Sequence, residues 1–140
     1  MSITGYKAKL TPTEIGSFAV SFDAVPEALT EISSLSEFEE VATDCLITAL
    51  DFYIESRRVF PLPEKVTLED HAVRLPVSIM AKILLLNTMA SLNIRPADLA
   101  RKMKITPQEV NRIIDTRHTT KIDTIAKALQ ALDKNLSVSI

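Results

Sequence analysis

Apolar and polar residues alternate along the first part of the chain. Over residues 3–11, Tyr6, Ala8 and Leu10 fall on one face and Lys7 and Lys9 on the other, the period of a half-buried strand. The alternation returns over 17–22, where Phe18, Val20 and Phe22 point inward. Thr13-Glu14-Ile15-Gly16 supplies a turn between them, so the two runs read as a hairpin. A weaker extended piece is expected at 28–33. From Phe38 the period lengthens: Phe38, Val41, Ala42, Cys45, Leu46, Ala49 and Phe52 with Tyr53 recur at helical spacing. This predicts one long helix whose apolar stripe packs on the sheet. Ser36 with Glu39 three residues on reads as the capping box that opens it. Phe60-Pro61-Leu62-Pro63 breaks the pattern, and His71–Leu75 returns as a further strand ended by Pro76.

Beyond residue 76 the periodicity is helical. A first helix over about 78–92 is apolar almost all round, with Ile79, Met80, Ile83, Leu84, Leu85, Leu86, Met89 and Leu92. A helix without a polar face is buried on more than one side. Two readings stand: a central core helix, or one that also packs on a second copy or on the first module. Pro96 opens a second helix, 96–103, with Leu99, Ala100 and Met103 inward and Ile105 buried in the turn that follows. The third begins at Thr106-Pro107-Gln108-Glu109, with Thr106 as N-cap, Pro107 in the first turn and Glu109 completing a capping box. Val110, Ile113 and Ile114 are its inward residues. A fourth helix spans about 122–132. Leu136, Val138 and Ile140 alternate with serines, which predicts a short terminal strand in need of a pairing partner. The expectation is therefore two modules: a small α+β domain, 1–75, with an antiparallel-rich sheet and one long helix, and an all-α domain, 76–140, with that terminal strand.

Charge divides along the same line. Residues 1–75 carry six Lys and Arg against thirteen Asp and Glu; residues 76–140 carry ten against five. The net charges are −7 and +5, which sum to the chain's −2. Such asymmetry points to two surfaces with different partners. The basic half suits phosphates, and the acidic half a cationic partner.

In the basic half, Gln108, Asn111 and Arg112 fall on the outer side of the third helix. These are side-chain types that read base edges, Arg on guanine and Gln or Asn on adenine. Arg95, Arg117, His118 and Lys121 flank that helix as phosphate contacts, with Thr106 and Pro107 at its N-terminal end. Two short helices joined by a tight turn, the second carrying such residues, form a helix-turn-helix whose second helix enters the DNA major groove.

The ordered series of residues resembles a known family over nearly the whole length. In the first module it consists of Tyr6, Pro12, Val20-Ser21-Phe22-Asp23, Val25-Pro26-Glu27-Ala28-Leu29-Thr30, Ala49-Leu50-Asp51-Phe52-Tyr53 and Pro61-Leu62-Pro63. In the second it consists of Lys82-Ile83-Leu84-Leu85-Leu86-Asn87, Leu99-Ala100-Arg101, Gln108-Glu109 and Thr120-Lys121-Ile122-Asp123. The chain resembles the HicB antitoxins of bacterial HicA–HicB toxin–antitoxin systems. The resemblance implies a partly degenerate ribonuclease-H-like first domain that binds the toxin, a small basic ribonuclease of HicA type. It also implies that the complex represses its own promoter through the second domain, here of the Cro/repressor-like helix-turn-helix branch. The second module is expected to dimerise, and the chain to form a dimer or tetramer. The acidic first half suits such a toxin, and Asp23, Glu27, Asp44 and Asp51 are assigned to that surface. One departure concerns the turn between the second and third helices. Relatives often hold Gly there, where the backbone needs positive φ; this chain has Lys104, at a strain of roughly 1 kcal/mol.

Catalysis lacks a constellation. Metal-dependent nuclease chemistry needs carboxylates converging on cations. Asp44 and Asp51 share a helical face with each other, but on the solvent side. His71 and His118 sit in no metal-ligand or nucleophile motif, and the single cysteine, Cys45, excludes a multi-cysteine zinc site. No metal or cofactor is expected, and the chain is read as a non-enzyme. The opening MSITGYKAKL has no apolar stretch of signal-peptide length and no segment is apolar enough to span a bilayer, so a cytoplasmic setting is expected. Besides the antitoxin, two other readings stand. One is a stand-alone repressor whose first domain senses a ligand; the other is a metal-dependent nuclease with a DNA-targeting module.

Overall fold

The computed structural model describes residues 3–140. The chain is an α+β protein, and its described residues form two small antiparallel sheets and five α-helices. It divides into two compact units. One comprises residues up to Tyr53 together with Pro61–Leu75; the other comprises Ile54–Phe60 and Pro76–Ile140.

In the first unit, β1 (Ile3–Lys7) and β2 (Lys9–Pro12) come from the run expected as one strand. The run breaks at Ala8 because its two ends pair with different neighbours. β1 lies between β5 (Glu64–Val66) and β6 (Ala72–Val73), and β2 pairs with β3 (Phe18–Ser21). The β2–β3 pairing is the expected hairpin, and its turn places Gly16 at φ 85. A residue with a Cβ is strained in that region, so the glycine belongs there. Gly5 is favoured by a close approach: a Cβ there would stand 3.0 Å from the Val73 carbonyl oxygen, tighter than an ordinary contact. The weak piece at 28–33 is β4 (Leu29–Ile32), paired antiparallel with β3. β5 has only three residues with little alternation, and the sequence pattern did not mark it. Tyr6, buried at the centre of β1, donates its hydroxyl to the Pro61 carbonyl at 2.7 Å. Burial pushes the phenol's pKa up, so it remains a donor.

The long helix α1 runs over Phe38–Glu55, preceded by a single 3₁₀ turn at Leu35–Glu37. That turn corrects the expected Ser36–Glu39 capping box. Ser34 is the first flanking residue, and the Glu37 carboxylate accepts from the Ser33 N–H at 3.2 Å. The inward face also differs from expectation. Ala42, Leu46, Ala49, Leu50 and Tyr53 are buried, whereas Phe52 is 52% exposed and Phe38, Val41 and Cys45 are half-buried. The apolar set on α1 is wider than one buried stripe, so its edge residues remain at the surface.

The second unit holds α2 (Val77–Ser91), α3 (Pro96–Met103), α4 (Pro107–Ile114) and α5 (Ile122–Ala131). Its core gathers Leu85, Met89, Leu99, Val110, Ile113, Ile125 and Leu129 from all four helices. Ile105, expected buried, is half-buried against this core. The axes of α2 and α3 lie 105° apart.

Three of these helices end in the same way. Ile94 N–H reaches the Met89 carbonyl, Ile105 that of Ala100, and Lys134 that of Leu129, at 2.8, 3.1 and 2.9 Å. The residues just before, Asn93, Lys104 and Asp133, have φ of 53, 58 and 62. This is the Schellman termination, whose left-handed position ordinarily takes Gly. The chain's two glycines are used elsewhere, Gly5 in β1 and Gly16 in the β2–β3 turn, so Asn, Lys and Asp take it.

The expected strand at Leu136–Ile140 is not formed; no ladder includes those residues, and Val138 and Ile140 are highly exposed. A strand is defined by pairing, and none of the described strands pairs with these residues. Among the described residues, no single helix is long and apolar enough to cross a membrane.

Candidate functional site

The outer face of α4 is built from its cap. Thr106 Oγ1 accepts the Glu109 N–H at 3.2 Å, and the Glu109 carboxylate accepts the Thr106 N–H at 2.7 Å. This reciprocal box fixes where the helix starts and hence which residues face out. Val110 and Ile113 are buried in the core; Gln108, Asn111 and Arg112 are exposed, as are Thr106 and Pro107 at the N-terminal end. Arg95, the residue before α3, is exposed, and its N–H is bound by the Asp98 carboxylate at 2.9 Å. That bond, with help from the Arg101 guanidinium, holds the Asp98 carboxyl below the usual range.

The segment after α4 is tied down from below. Lys82, in the middle of α2, is 1% exposed. Its Nζ donates to the Asp115 carbonyl at 2.6 Å and also to the His118 carbonyl. Asp115 Oδ1 accepts the Arg117 N–H at 2.9 Å, and the Asp115 carbonyl accepts the His118 N–H at 3.1 Å. The backbone of 115–118 is thus fixed while the side chains of Arg117, His118 and Lys121 remain exposed. Arg112, His118 and Lys121 line one shallow depression together with Met103, Ile105 and Lys127. Gln108, Asn111 and Arg117 lie outside it, as do Arg95, Thr106 and Pro107.

Lys82 is the residue that sequence reasoning passed over. The signal was available: a lysine inside an otherwise apolar helix needs a reason to be there. Burial pushes its pKa down, and the Asp115 carboxylate opposes that shift. Asn87, five residues on along α2, does a similar task. Its amide binds both the N–H and the carbonyl of Phe60, at 2.8 and 2.9 Å.

The acids of the first unit are only partly brought together. Glu27 and Asp44, both exposed, stand on the rim of one groove between β4 and α1, whose floor holds Val41, Cys45 and Ala49. The Tyr53 hydroxyl donates to Glu27 Oε1 at 2.7 Å. Asp23 is exposed and Asp51 half-buried, and neither lines the groove. Among the described residues, no three His, Cys, Asp or Glu side chains converge as a metal site.

The sequence pattern described as the HicB_like antitoxin of bacterial toxin-antitoxin system matches residues 5–84. The chain belongs to the HicB-like antitoxin family. It is 41% identical over 133 residues to Antitoxin HicB of Escherichia coli K12, an alignment covering 95% of this chain and 96% of that protein. It is 47% identical to Antitoxin HicB 2 of Photorhabdus laumondii, covering 95% and 94%. Antitoxin HicB of Pseudomonas fluorescens matches at 34%, covering 91% and 88%. The chain is thus an antitoxin of a toxin–antitoxin system. The family pattern takes in the first unit and the start of α2, while the relatives extend the likeness through α3, α4 and α5.

Proposed function

We propose that this antitoxin neutralises a HicA-like small basic ribonuclease through residues 1–75 and represses its own operon by binding promoter DNA through residues 76–140. In this reading the first unit is a degenerate ribonuclease-H-like domain that masks the toxin without catalysing anything, in the cytoplasm. The second is a Cro/repressor-like helix-turn-helix formed by α3 and α4. The observation that carries the DNA half is the outer face of α4: Gln108, Asn111 and Arg112 are exposed, directly opposite a buried Val110 and Ile113. Arg112 and Gln108 read base edges, while Arg95, Arg117, His118 and Lys121 hold phosphates. The net +5 of residues 76–140 supports approach to a polyanion. Self-association presents two copies of α4 to successive major-groove faces, about 34 Å apart. The net −7 of residues 1–75 supports capture of a basic nuclease.

The test is Arg112→Ala. Promoter binding, measured by gel shift or fluorescence anisotropy at fixed salt, is expected to weaken by about 1–3 kcal/mol, the value of a bidentate guanine contact. Toxin neutralisation is expected to survive. Promoter affinity equal to that of the parent chain shows that α4 is not the reading helix.

A further inference from the structure

Helix α1 carries apolar surface that its own unit does not cover. Phe52 is 52% exposed, and Leu29, on β4 across the groove, is 70% exposed. Val41 and Cys45 lie half-buried between them. Glu27 and Asp44 stand on the rim, and the Tyr53 hydroxyl, at 2.7 Å, tethers the Glu27 carboxylate there. An exposed aromatic beside an apolar trough, bordered by carboxylates, has the composition of an interface anchor with a charge-selective edge.

We propose that this groove is the seat of the toxin, and that it takes an apolar side chain of that protein flanked by Lys or Arg; the assignment rests on the toxin-binding reading above. The occupant follows from charge. The unit's net charge repels nucleic acid and acidic peptides, while cations beside the apolar side chain pair with Glu27 and Asp44. Glu27 and Asp44 set orientation and partner choice, and Phe52 and Leu29 provide the buried area.

Cys45 makes the groove directly observable, because it is the chain's only cysteine. Burial, and then the neighbouring Asp44 carboxylate, push its thiol pKa up, so alkylation is followed at mildly alkaline pH, where the thiolate is populated. The full-length chain is labelled with N-ethylmaleimide, with and without the small basic protein encoded beside it, and read by mass spectrometry. Bound toxin is expected to slow alkylation at least about tenfold. Phe52→Ala and Leu29→Arg are each expected to weaken toxin binding by about 30-fold, the scale of a hot-spot residue. Asp44→Lys is expected to weaken it and to flatten its salt dependence. Leu68→Ala, at a position 91% exposed outside the groove, is expected to leave binding unchanged. If the toxin binds but Cys45 labels at the free rate and Phe52→Ala and Leu29→Arg bind normally, the groove is the wrong surface while the toxin reading stands. If the parent chain does not bind that protein at all, both fail. Protection that grows with the concentration of the chain alone assigns the groove to a second copy and overturns the proposal.

Discussion

Helices α1 and α4 both bury one stripe and turn another toward solvent, but their outer faces are chemically unlike. On α4 the division is sharp: Val110 and Ile113 inside, Gln108, Asn111 and Arg112 outside, with a reciprocal cap fixing the first residue. On α1 it is blurred: Phe52, Val41 and Cys45 lie at the edge of the buried stripe, among acids. A polar outer face suits a hydrated polyanion, where hydrogen bonds and counterion release supply the binding energy. An apolar edge with a charged rim suits a protein, where buried area supplies the affinity and charge the selectivity. The contrast shows that amphipathicity alone does not classify a surface helix; what lies at the boundary between its two faces does.

The largest expected effect comes from removing the seat of α4. Leu99 is fully buried in the helical core, so Leu99→Ala is expected to cost about 2–5 kcal/mol in that unit. Promoter binding should fall with it while the toxin still binds; thermal unfolding followed alongside toxin capture checks this. Loss of toxin capture at a temperature where α1 remains helical would break the separation between the two faces.

Next is the latch beneath the loop after α4. Lys82→Met fills a similar volume but leaves the Asp115 and His118 carbonyls without their ammonium donor, at about 1–3 kcal/mol. Because that loop carries Arg117 and His118, promoter affinity is expected to drop even at temperatures where the variant is fully folded. Hydrogen exchange at 115–118 should accelerate with it. A variant that melts lower but binds promoter normally reduces Lys82 to a core residue.

The effect of Lys104→Gly has the opposite sign. Lys104 occupies a left-handed conformation, φ 58 and ψ 44, at the end of α3. Glycine there removes a strain of about 1 kcal/mol, so chemical denaturation is expected to show a gain of up to that size. The smallest effect is one of pH. The folded Asp98 carboxyl is held low by its bond to the Arg95 N–H, so its stabilisation is fully present above the unfolded carboxylate value, about 4. It is lost as pH falls through the lower folded value. The acid limb of the stability curve should therefore be shallower in Asp98→Asn than in the parent chain.

Much of the second unit was legible in advance because its signals are local. Pro96, the Thr106–Glu109 box and the 3.6-residue spacing act within one turn of helix, and α3 and α4 begin where those residues say. The left-handed Lys104 was legible only through the family resemblance, since relatives often hold Gly in that turn. Near the start of α1 the local signal misled: two serines compete, and the chain takes one 3₁₀ turn before the helix proper. The acids of the candidate toxin surface were legible only as a charge total; which of them share a groove depends on how β4 lies beside α1.

The sequence by itself determined the β2–β3 hairpin, the starts of α3 and α4, the outward residues of α4 and the opposite charges of the two halves. Each is written in neighbours a few residues apart or in simple sums. Only the tertiary structure decided that Leu50 rather than Phe52 is buried, that Lys82 bonds carbonyls 33 and 36 residues away, and that 136–140 forms no strand. Those outcomes depend on which distant groups come within contact range, and spacing along a chain does not encode distance across it.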